Sequence, residues 1–245
     1  MRPKPIWLFF ISLLFSFASW AQTIPAPLPE ENVSQQPDTL GVKEKKTYGL
    51  RFGLDLHRLI GFQFNRDFSG IELVGDLRLG KDLYVAAELG NENKTQQSEQ
   101  IHFTTKGSYL KLGIDYNMFE NWKGMDNQVY LGFRFANSFH SQEVNSYDLY
   151  TLNHFWDENE TTAGFATGKT DQLNAAWIEF VAGIKVALFK NLYVGFSLRL
   201  NRLLSDKKPD NFDNLYIPGF NRKTDENIFG AGFNYTLTYA IPIRF

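Results

Sequence analysis

The sequence predicts an all-β protein, an antiparallel up-and-down barrel of about eight strands. Beyond residue 46, apolar and polar residues alternate with a period of two in eight separate runs. Because side chains alternate between the two faces of a strand, each run has one apolar and one polar face. The connections between runs are alternately short and long, as in a meander with one plain end and one elaborate end. We find no convincing helical period in this region.

The eight runs follow one another in chain order, and each is identified by its apolar positions. These span Tyr48 to Leu56, Ile71 to Leu79, Leu83 to Leu89, Leu110 to Met118, Val129 to Phe135, Ile178 to Leu188, Leu192 to Leu200, and about 229 to 245. Short turns are predicted at 80–82, 119–126 and 189–191, and long connections at about 60–70, 91–106, 137–176 and 203–228. Aromatic residues in the 137–176 connection favour an extension of its hairpin above the membrane, which leaves room for a ten-stranded barrel.

The first 46 residues are predicted to lie outside the barrel domain, which covers 47–245. Two basic residues in M-R-P-K-P precede an apolar run, and small residues follow before a cleavage site between Ala21 and Gln22. This pattern predicts a secretory signal peptide at 1–21. Its apolar run is shorter than the ~20 residues that a membrane-spanning helix needs. Residues 22–46 are rich in Pro, Gln and charge, and predict a disordered periplasmic leader.

The polar face of the runs is predicted to line the inside of the barrel. Glycine recurs on that face, where it suits the crowded interior of a narrow barrel. The charges on that face balance, as a buried lumen requires, because unpaired buried charges are costly. They are Arg51, Arg78, Lys111, Arg134, Lys185 and Arg199 against Asp55, Glu72, Asp76, Glu88, Asp115 and Glu179. The other face lacks charges at its central positions, which favours a transmembrane barrel over a soluble barrel of the lipocalin kind.

The last run ends on an aromatic residue that is preceded by apolar residues at alternate positions. These residues are Leu237, Tyr239, Ile241, Ile243 and Phe245. With the signal-peptide pattern and the eight runs, they make the chain resemble the small eight-stranded outer-membrane β-barrel proteins of Gram-negative bacteria. In that family the outer-membrane insertion machinery recognises the terminal strand, so the resemblance implies that role for these five residues. Pro242 departs from the pattern, because proline cannot donate a ladder hydrogen bond.

Few residues are candidates for catalysis or metal binding. His140 and Ser141 stand at the end of the fifth run, and Asp148 and His154 follow in the same connection. A hydrolase needs a base, a nucleophile and an orienting group within hydrogen-bond reach, and the sequence gives only proximity along the chain. The acidic stretches D-E-N-E and S-D-K-K-P-D-N-F-D lack the spacing of a calcium loop. We therefore predict no catalytic residues, no cofactor and no metal site.

The function expected from these features is that of an integral outer-membrane barrel with a side-chain-filled lumen. Its role is predicted to be structural, or recognition at the cell surface through long extracellular loops. Eight strands leave a bore that side chains fill, which disfavours a general porin. A narrow channel and a lipid A-modifying enzyme remain the alternatives.

Location and partners follow from the same features. Both termini and the short turns are expected in the periplasm. The expected partners are outer-membrane lipid and lipopolysaccharide, the insertion machinery, and an extracellular ligand. The net charge of −2 does not indicate a nucleic acid partner, and the absence of cysteine means that no disulfide supports the fold.

Overall fold

Eight antiparallel strands close into a barrel in the part of the chain that the structure describes. The computed structural model describes residues 48–64, 67–98, 101–120, 127–147, 167–209, 213–222 and 228–243. The predicted all-β fold is confirmed, with eight barrel strands rather than ten. The signal peptide and the leader that we predict at 1–46 lie outside the described residues.

The barrel strands are consecutive in the chain except where a small hairpin intervenes. They are β1 (Tyr48–Asp55), β2 (Phe68–Arg78), β3 (Leu83–Gln97), β4 (Ile101–Asn117), β5 (Gln128–Tyr147), β6 (Gly168–Phe189), β7 (Leu192–Asp206) and β10 (Phe229–Ile243). The separate hairpin consists of β8 (Tyr216–Ile217) and β9 (Asn221–Arg222). One helix, α1 (Leu56–Phe64), follows β1. Around the barrel the order is β1, β10, β7, β6, β5, β4, β3, β2, so pairing of β1 with β10 closes the ring.

Alternate residues of each strand are exposed or buried, as the period of two predicts. In β3, Leu83, Val85 and Leu89 are exposed, whereas Tyr84 and Glu88 are buried. The inward face therefore carries the charges, and large apolar side chains cover the outward face. Examples from around the ring are Phe52, Leu73, Leu89, Leu112, Ile114, Leu131, Phe133, Phe180, Ile184, Leu198, Leu200, Phe233 and Tyr239.

The two ends of the barrel differ in their connections. We call the end with the short turns the lower end. There β2 joins β3 across 79–82, and β6 joins β7 through Lys190 and Asn191, whose φ of 68° lies in the left-handed region that asparagine tolerates. At the upper end, β3 and β4 extend through most of the predicted 91–106 connection. β5 and β6 likewise extend far into the predicted 137–176 connection.

The helix α1 corrects two sequence expectations: that the first strand continues through Leu56, and that no helix follows it. The strand ends at Asp55, whose Oδ1 accepts a hydrogen bond from the backbone N–H of His57 at 3.0 Å. Asp55 thus caps the helix, since a cap side chain satisfies an N–H group that has no partner within the first turn. Nine residues are too few to show a 3.6 period clearly in the sequence. None of the helices in the described ranges is long and apolar enough to cross a membrane.

Candidate functional site

The lower layer of the lumen contains two cations that share one carboxylate. Asp76 accepts hydrogen bonds from Arg51 Nε and Lys185 Nζ, both at 2.6 Å, and all three side chains are buried. Arg51 Nη2 also donates to Gln128 Oε1 at 2.8 Å. The Arg51 guanidinium carbon lies 4.8 Å from the centre of the Tyr84 ring, within the range of a cation–π contact. Each buried cation of this layer therefore has a partner that offsets the loss of water.

The middle layer is centred on Glu88, which pairs with two arginines. Arg199 donates to both Glu88 oxygens, from Nη1 at 2.5 Å and Nη2 at 3.0 Å. Arg134 Nε lies 3.4 Å from Glu88 Oε1, and Arg134 Nη2 donates to Asp115 Oδ2 at 2.8 Å. The two-point contact of Arg199 is the strong form of an arginine–carboxylate pair.

A second carboxylate, Glu179, completes the middle layer. It pairs with Lys111 Nζ at 2.9 Å and with Arg199 Nη1 at 3.1 Å, and it accepts a hydrogen bond from Trp177 Nε1 at 2.7 Å. Arg199 therefore bridges Glu88 and Glu179. The middle layer is one connected network that crosses the lumen.

The upper layer is organised by Arg58, which α1 directs into the lumen. Arg58 forms ion pairs with Glu72 at 3.0 Å, with Asp55 at 3.6 Å, and with Glu92. Asn234 Nδ2 donates to Asp55 Oδ2 at 2.7 Å and to Glu72 Oε1 at 2.8 Å. The helix thus contributes a cation to a cluster of three strand carboxylates.

A segment that we call the cap, residues 213–222, folds down onto this layer. The Tyr216 hydroxyl donates to Glu92 Oε2 at 2.7 Å, and the Gly219 N–H donates to the same oxygen at 3.0 Å. Burial raises the pKa of Tyr216 to about 12, although the nearby Arg58 cation lowers it, so the hydroxyl stays protonated and can donate. Part of the connection predicted at 203–228 to reach the exterior therefore lies within the barrel.

The cap closes the upper lumen with apolar side chains. Ile217 and Phe220 are completely buried, and the Phe220 ring meets the Trp177 ring edge-on at 5.8 Å. Gly219 has a φ of +82°, and a Cβ atom there would come within 2.7 Å of the Tyr109 ring. Only glycine fits this position without displacing Tyr109.

The barrel wall is interrupted above β1. β1 pairs with β10 along its whole length but with β2 only over Leu50–Leu54. Among the described pairings, residues 229–235 of β10 pair only with β7, and residues 68–72 of β2 pair only with β3. The helix α1 occupies the gap between these two strand edges.

The helix distributes its polar and apolar side chains between the lumen and the outer surface, as the barrel strands do. Its Arg58 is buried in the lumen, whereas Leu59 and Ile60 are 37% and 48% exposed. On one side the His57 ring lies 4.7 Å from the Phe233 ring of β10. On the other side, the helix approaches the Phe68 ring of β2 at Gly61. The helix therefore presents a polar group inward and apolar groups outward, as the strands do.

A cavity of about 740 Å³ lies beneath α1 and passes beside the edge of β10. It is lined by outward-facing residues such as Ala231, Phe233 and Tyr235, and also by the lumen residues Arg199 and Asn201. The lining residues come from both faces of β10, because the cavity lies along the strand edge that pairs with neither β1 nor β2 among the described residues.

Eleven of the twelve charged residues that the sequence places in the lumen are buried there. The exception is Arg78, which is half-buried and donates to the backbone carbonyls of Gly80 and Lys81 at 2.9 and 2.8 Å. Arg78 therefore clamps the turn between β2 and β3. It stands at the lower end of its strand, where a long side chain reaches the turn.

Two lumen charges were missed by the sequence analysis. Glu92 falls in the predicted 91–106 connection, although it continues the inward alternation of Glu88 and could have been found by extending the strand. Arg58 follows the first predicted run and was not assigned to the lumen, because neither periodicity nor charge balance marks a short helix. With them, the buried charges among the described residues are six basic and seven acidic: Arg51, Arg58, Lys111, Arg134, Lys185 and Arg199 against Asp55, Glu72, Asp76, Glu88, Glu92, Asp115 and Glu179.

The residues of the predicted insertion signal lie on β10 or just beyond it. Tyr239 and Ile241 are exposed on the outward face, and Leu237 is half-buried. The backbone of Ile243 pairs with Tyr48 of β1, and Phe245 lies outside the described residues. The insertion signal stays a prediction.

The histidine that was weighed as a catalytic base anchors the cap. His140 is buried, with Nε2 3.2 Å from Asn214 Oδ1. Its neighbour Gln142 donates from Nε2 to the Asp213 carbonyl at 3.0 Å and accepts the Leu215 N–H at 2.8 Å.

The other weighed residues form no site with His140. Ser141 follows His140 in the strand and pairs with Lys106, and Asp148 and His154 lie outside the described residues. No group of three or more metal-binding side chains occurs within the described ranges. The acidic stretch at 157–160 falls outside those ranges, and so do residues 210–212 of the stretch at 205–213.

Comparisons with known proteins identify a family and a distant structural likeness. Among solved structures, the chain is similar to a major outer membrane protein from Thermus thermophilus, at 11% identity and a TM-score of 0.41. That match covers 80% of this chain and 98% of the other. No curated protein matches the chain. The family model of a domain of unknown function (DUF6048) matches residues 5–244, so the chain belongs to the DUF6048 family.

Proposed function

We propose that the protein is an integral β-barrel of the outer membrane, closed through its lumen, with a structural or surface-recognition role. The observation that carries this proposal is the inverted distribution of side chains. Ion-paired residues such as Glu88 and Arg199 are buried in the centre, whereas residues such as Phe52, Leu112 and Phe180 are about half exposed on the outside.

A lipid environment is what this outer surface requires. Soluble monomers rarely expose contiguous apolar patches larger than a few hundred Å². Here apolar residues are exposed on every barrel strand, from Leu50 on β1 to Ile241 on β10. A closed barrel satisfies its backbone groups between strands, which lets such a surface face hydrocarbon. Outer-membrane lipid and lipopolysaccharide are the surroundings that we propose.

The recognition role is supported by the length of the strands at the upper end. About 9–11 residues suffice for a strand to cross a membrane. β5 has 20 residues and β6 has 22, so both extend well beyond the apolar band. This extension would present the upper hairpins and an unidentified extracellular ligand-binding surface to water.

Fractionation and gel migration test the membrane assignment. We expect the protein in the outer-membrane fraction, and a folded sample should migrate differently before and after boiling. A stable monomer in detergent-free buffer would contradict the proposal.

The orientation can be tested with single cysteines in intact cells. A thiol reagent that does not cross membranes should reach Lys169→Cys and Lys208→Cys but not Lys81→Cys or Lys190→Cys.

We propose a non-catalytic role, because the His140 ring is engaged by the cap at Asn214. Lipid A from cells with and without the protein should therefore have the same mass spectrum. A change in acyl composition that depends on the protein and disappears with His140→Gln would favour the lipid A-modifying enzyme instead.

A further inference from the structure

The upper part of β10 has one backbone edge that faces the gap beside α1. In an antiparallel sheet, every second residue of a strand bonds to one neighbouring strand, and the residues between them face the other side. The Ala240 N–H and the Ile228 C=O bond toward β7, so the even-numbered residues of β10 face β7. The odd-numbered residues face β1 from Leu237 onward. At Ala231 and Phe233 they face the gap.

The gap-facing backbone groups of Ala231 and Phe233 bond to no other residue in the part of the chain that the structure describes. Both residues are exposed and line the cavity, so this edge is accessible from the cavity. An unsatisfied backbone group is costly in hydrocarbon, because lipid chains offer neither donors nor acceptors. In a bilayer this edge of β10 therefore needs a polar partner.

The helix α1 meets this edge through side chains rather than through its backbone. The N–H and C=O groups within a helix bond to one another, and the contact with β10 places the His57 ring 4.7 Å from the Phe233 ring. The cavity of about 740 Å³ lies between the helix and residues 231–236 of β10. Ala231 to Tyr235 covers about 14 Å of edge at ~3.4 Å per residue, enough for roughly five residues of another strand.

The groups along the edge indicate the class of partner. Donors and acceptors that recur at every second residue are matched by the backbone of another extended strand, as in β-strand addition. The two faces of β10 indicate the side chains of that strand. Phe233 is exposed on the apolar outer surface, whereas Gly232 and Asn234 face the lumen. A partner strand would therefore alternate apolar residues with small or polar ones.

We propose that this edge binds an extended segment of a second protein, which adds a strand to β10 beside Ala231 and Phe233. The segment runs antiparallel to β10, in the direction of β1, and has the alternation of a membrane-spanning strand. In a second copy of this chain, the corresponding edges of β10 and β2 run parallel to β10 and lie beside its own α1, which disfavours a homodimer. The proposal makes the recognition role specific, and it rests on the proposed membrane location.

Disulfide capture of a defined peptide tests the proposal. The peptide copies β1, Y-G-L-R-F-G-L-D, which already pairs with the lower part of the same β10 edge, and it carries Phe52→Cys. The protein has no cysteine, so Ala231→Cys gives the full chain a single thiol beside the gap. With the barrel folded in phosphatidylcholine vesicles, we expect saturable formation of a disulfide between this thiol and the peptide.

Two N-methylated peptides separate strand addition from binding through side chains alone. Methylation at Leu50 and Leu54 removes N–H groups that face β10 in the native ladder, and it should reduce capture at least about tenfold. Methylation at Arg51 and Gly53 removes as many N–H groups from the opposite edge and should leave capture nearly unchanged. Ala87→Cys, an exposed position on β3 with strands paired on both sides, should not capture the peptide.

The contradicting outcomes are distinct from a failure of the membrane assignment. A gel shift on boiling first shows that each variant is a folded barrel. If folded Ala231→Cys captures no peptide, or captures both methylated peptides equally, water or lipid occupies the cavity and the proposal is wrong. A disulfide-linked dimer of Ala231→Cys in the presence of the peptide would also overturn it, in favour of a second copy. Absence of the gel shift in the wild type would instead count against the membrane barrel itself.

Discussion

Strand pairing is continuous around one side of the barrel and interrupted on the opposite side. From β3 round to β7 the strands are paired along nearly their full lengths, and β3 and β4 alone share fifteen paired positions. On the opposite side β1 pairs with β2 at only five positions, and α1 takes over the wall above them. Arg134, on the continuous side, contacts Glu88, Asp115 and two backbone carbonyls. On the interrupted side, Arg58 enters the lumen from α1 and pairs with Asp55, Glu72 and Glu92.

The comparison shows what a complete strand ladder contributes to a charged lumen. A ladder fixes the alternation and spacing of side chains, so charges on neighbouring strands meet at hydrogen-bond distance. Where a helix replaces a strand, the inward positions are fewer and a cavity remains. Substitution of an inward side chain should therefore lower the stability of the barrel more on the continuous side than on the interrupted side.

The largest effect is expected for Arg134→Met, on the continuous side. The substitution leaves Asp115 and Glu88 buried with fewer partners, and loss of one partner of a buried pair costs about 3–5 kcal/mol. Urea unfolding of the barrel in lipid vesicles measures this loss. Arg202→Met, on the exposed face of β7, is the matched control and should change stability by less than about 0.5 kcal/mol. Equal effects of the two variants would mean that the lumen network does not stabilise the barrel.

The next effect is expected on the outward face of the same strand. Leu131→Arg places a charge in the apolar band and should cost roughly 2–4 kcal/mol near the middle of the bilayer. Glu143 lies on the exposed upper part of β5 and is already charged. Glu143→Arg should therefore cost much less stability than Leu131→Arg. A harmless Leu131→Arg would show that this face does not contact lipid.

A smaller effect is expected from Gly90→Ala, which crowds the upper lumen. A Cβ atom at Gly90 would overlap the Tyr109 ring, and overpacking typically costs about 1–3 kcal/mol. Gly49 is also a β-strand glycine, but no atom lies within 4 Å of the Cβ position, so Gly49→Ala should be neutral or slightly stabilising. Similar losses for both variants would mean that the glycines matter for the strand backbone rather than for space around Tyr109.

Much of the fold is predictable because alternation is a local signal. A period of two identifies the strands, and the balance of Arg134, Arg199 and their partners identifies the inner face. The cap was missed because its burial depends on a contact between Tyr216 and Glu92, which are far apart in the chain. The P-G pair at 218–219 indicates a turn but not where that turn packs. The helix was missed for a related reason. The local sequence does not distinguish an aspartate that continues a strand from one that caps a helix, and Asp55 caps a helix.

The central claim is that the lumen is closed through its length. Conductance across a planar bilayer tests this most directly. Purified barrel should insert without a steady current, because the paired lower, middle and upper layers and the cap fill the bore, while a porin added to the same bilayer should produce clear steps. A steady current from the wild-type barrel that rises with salt concentration would contradict the closed lumen and favour the narrow channel.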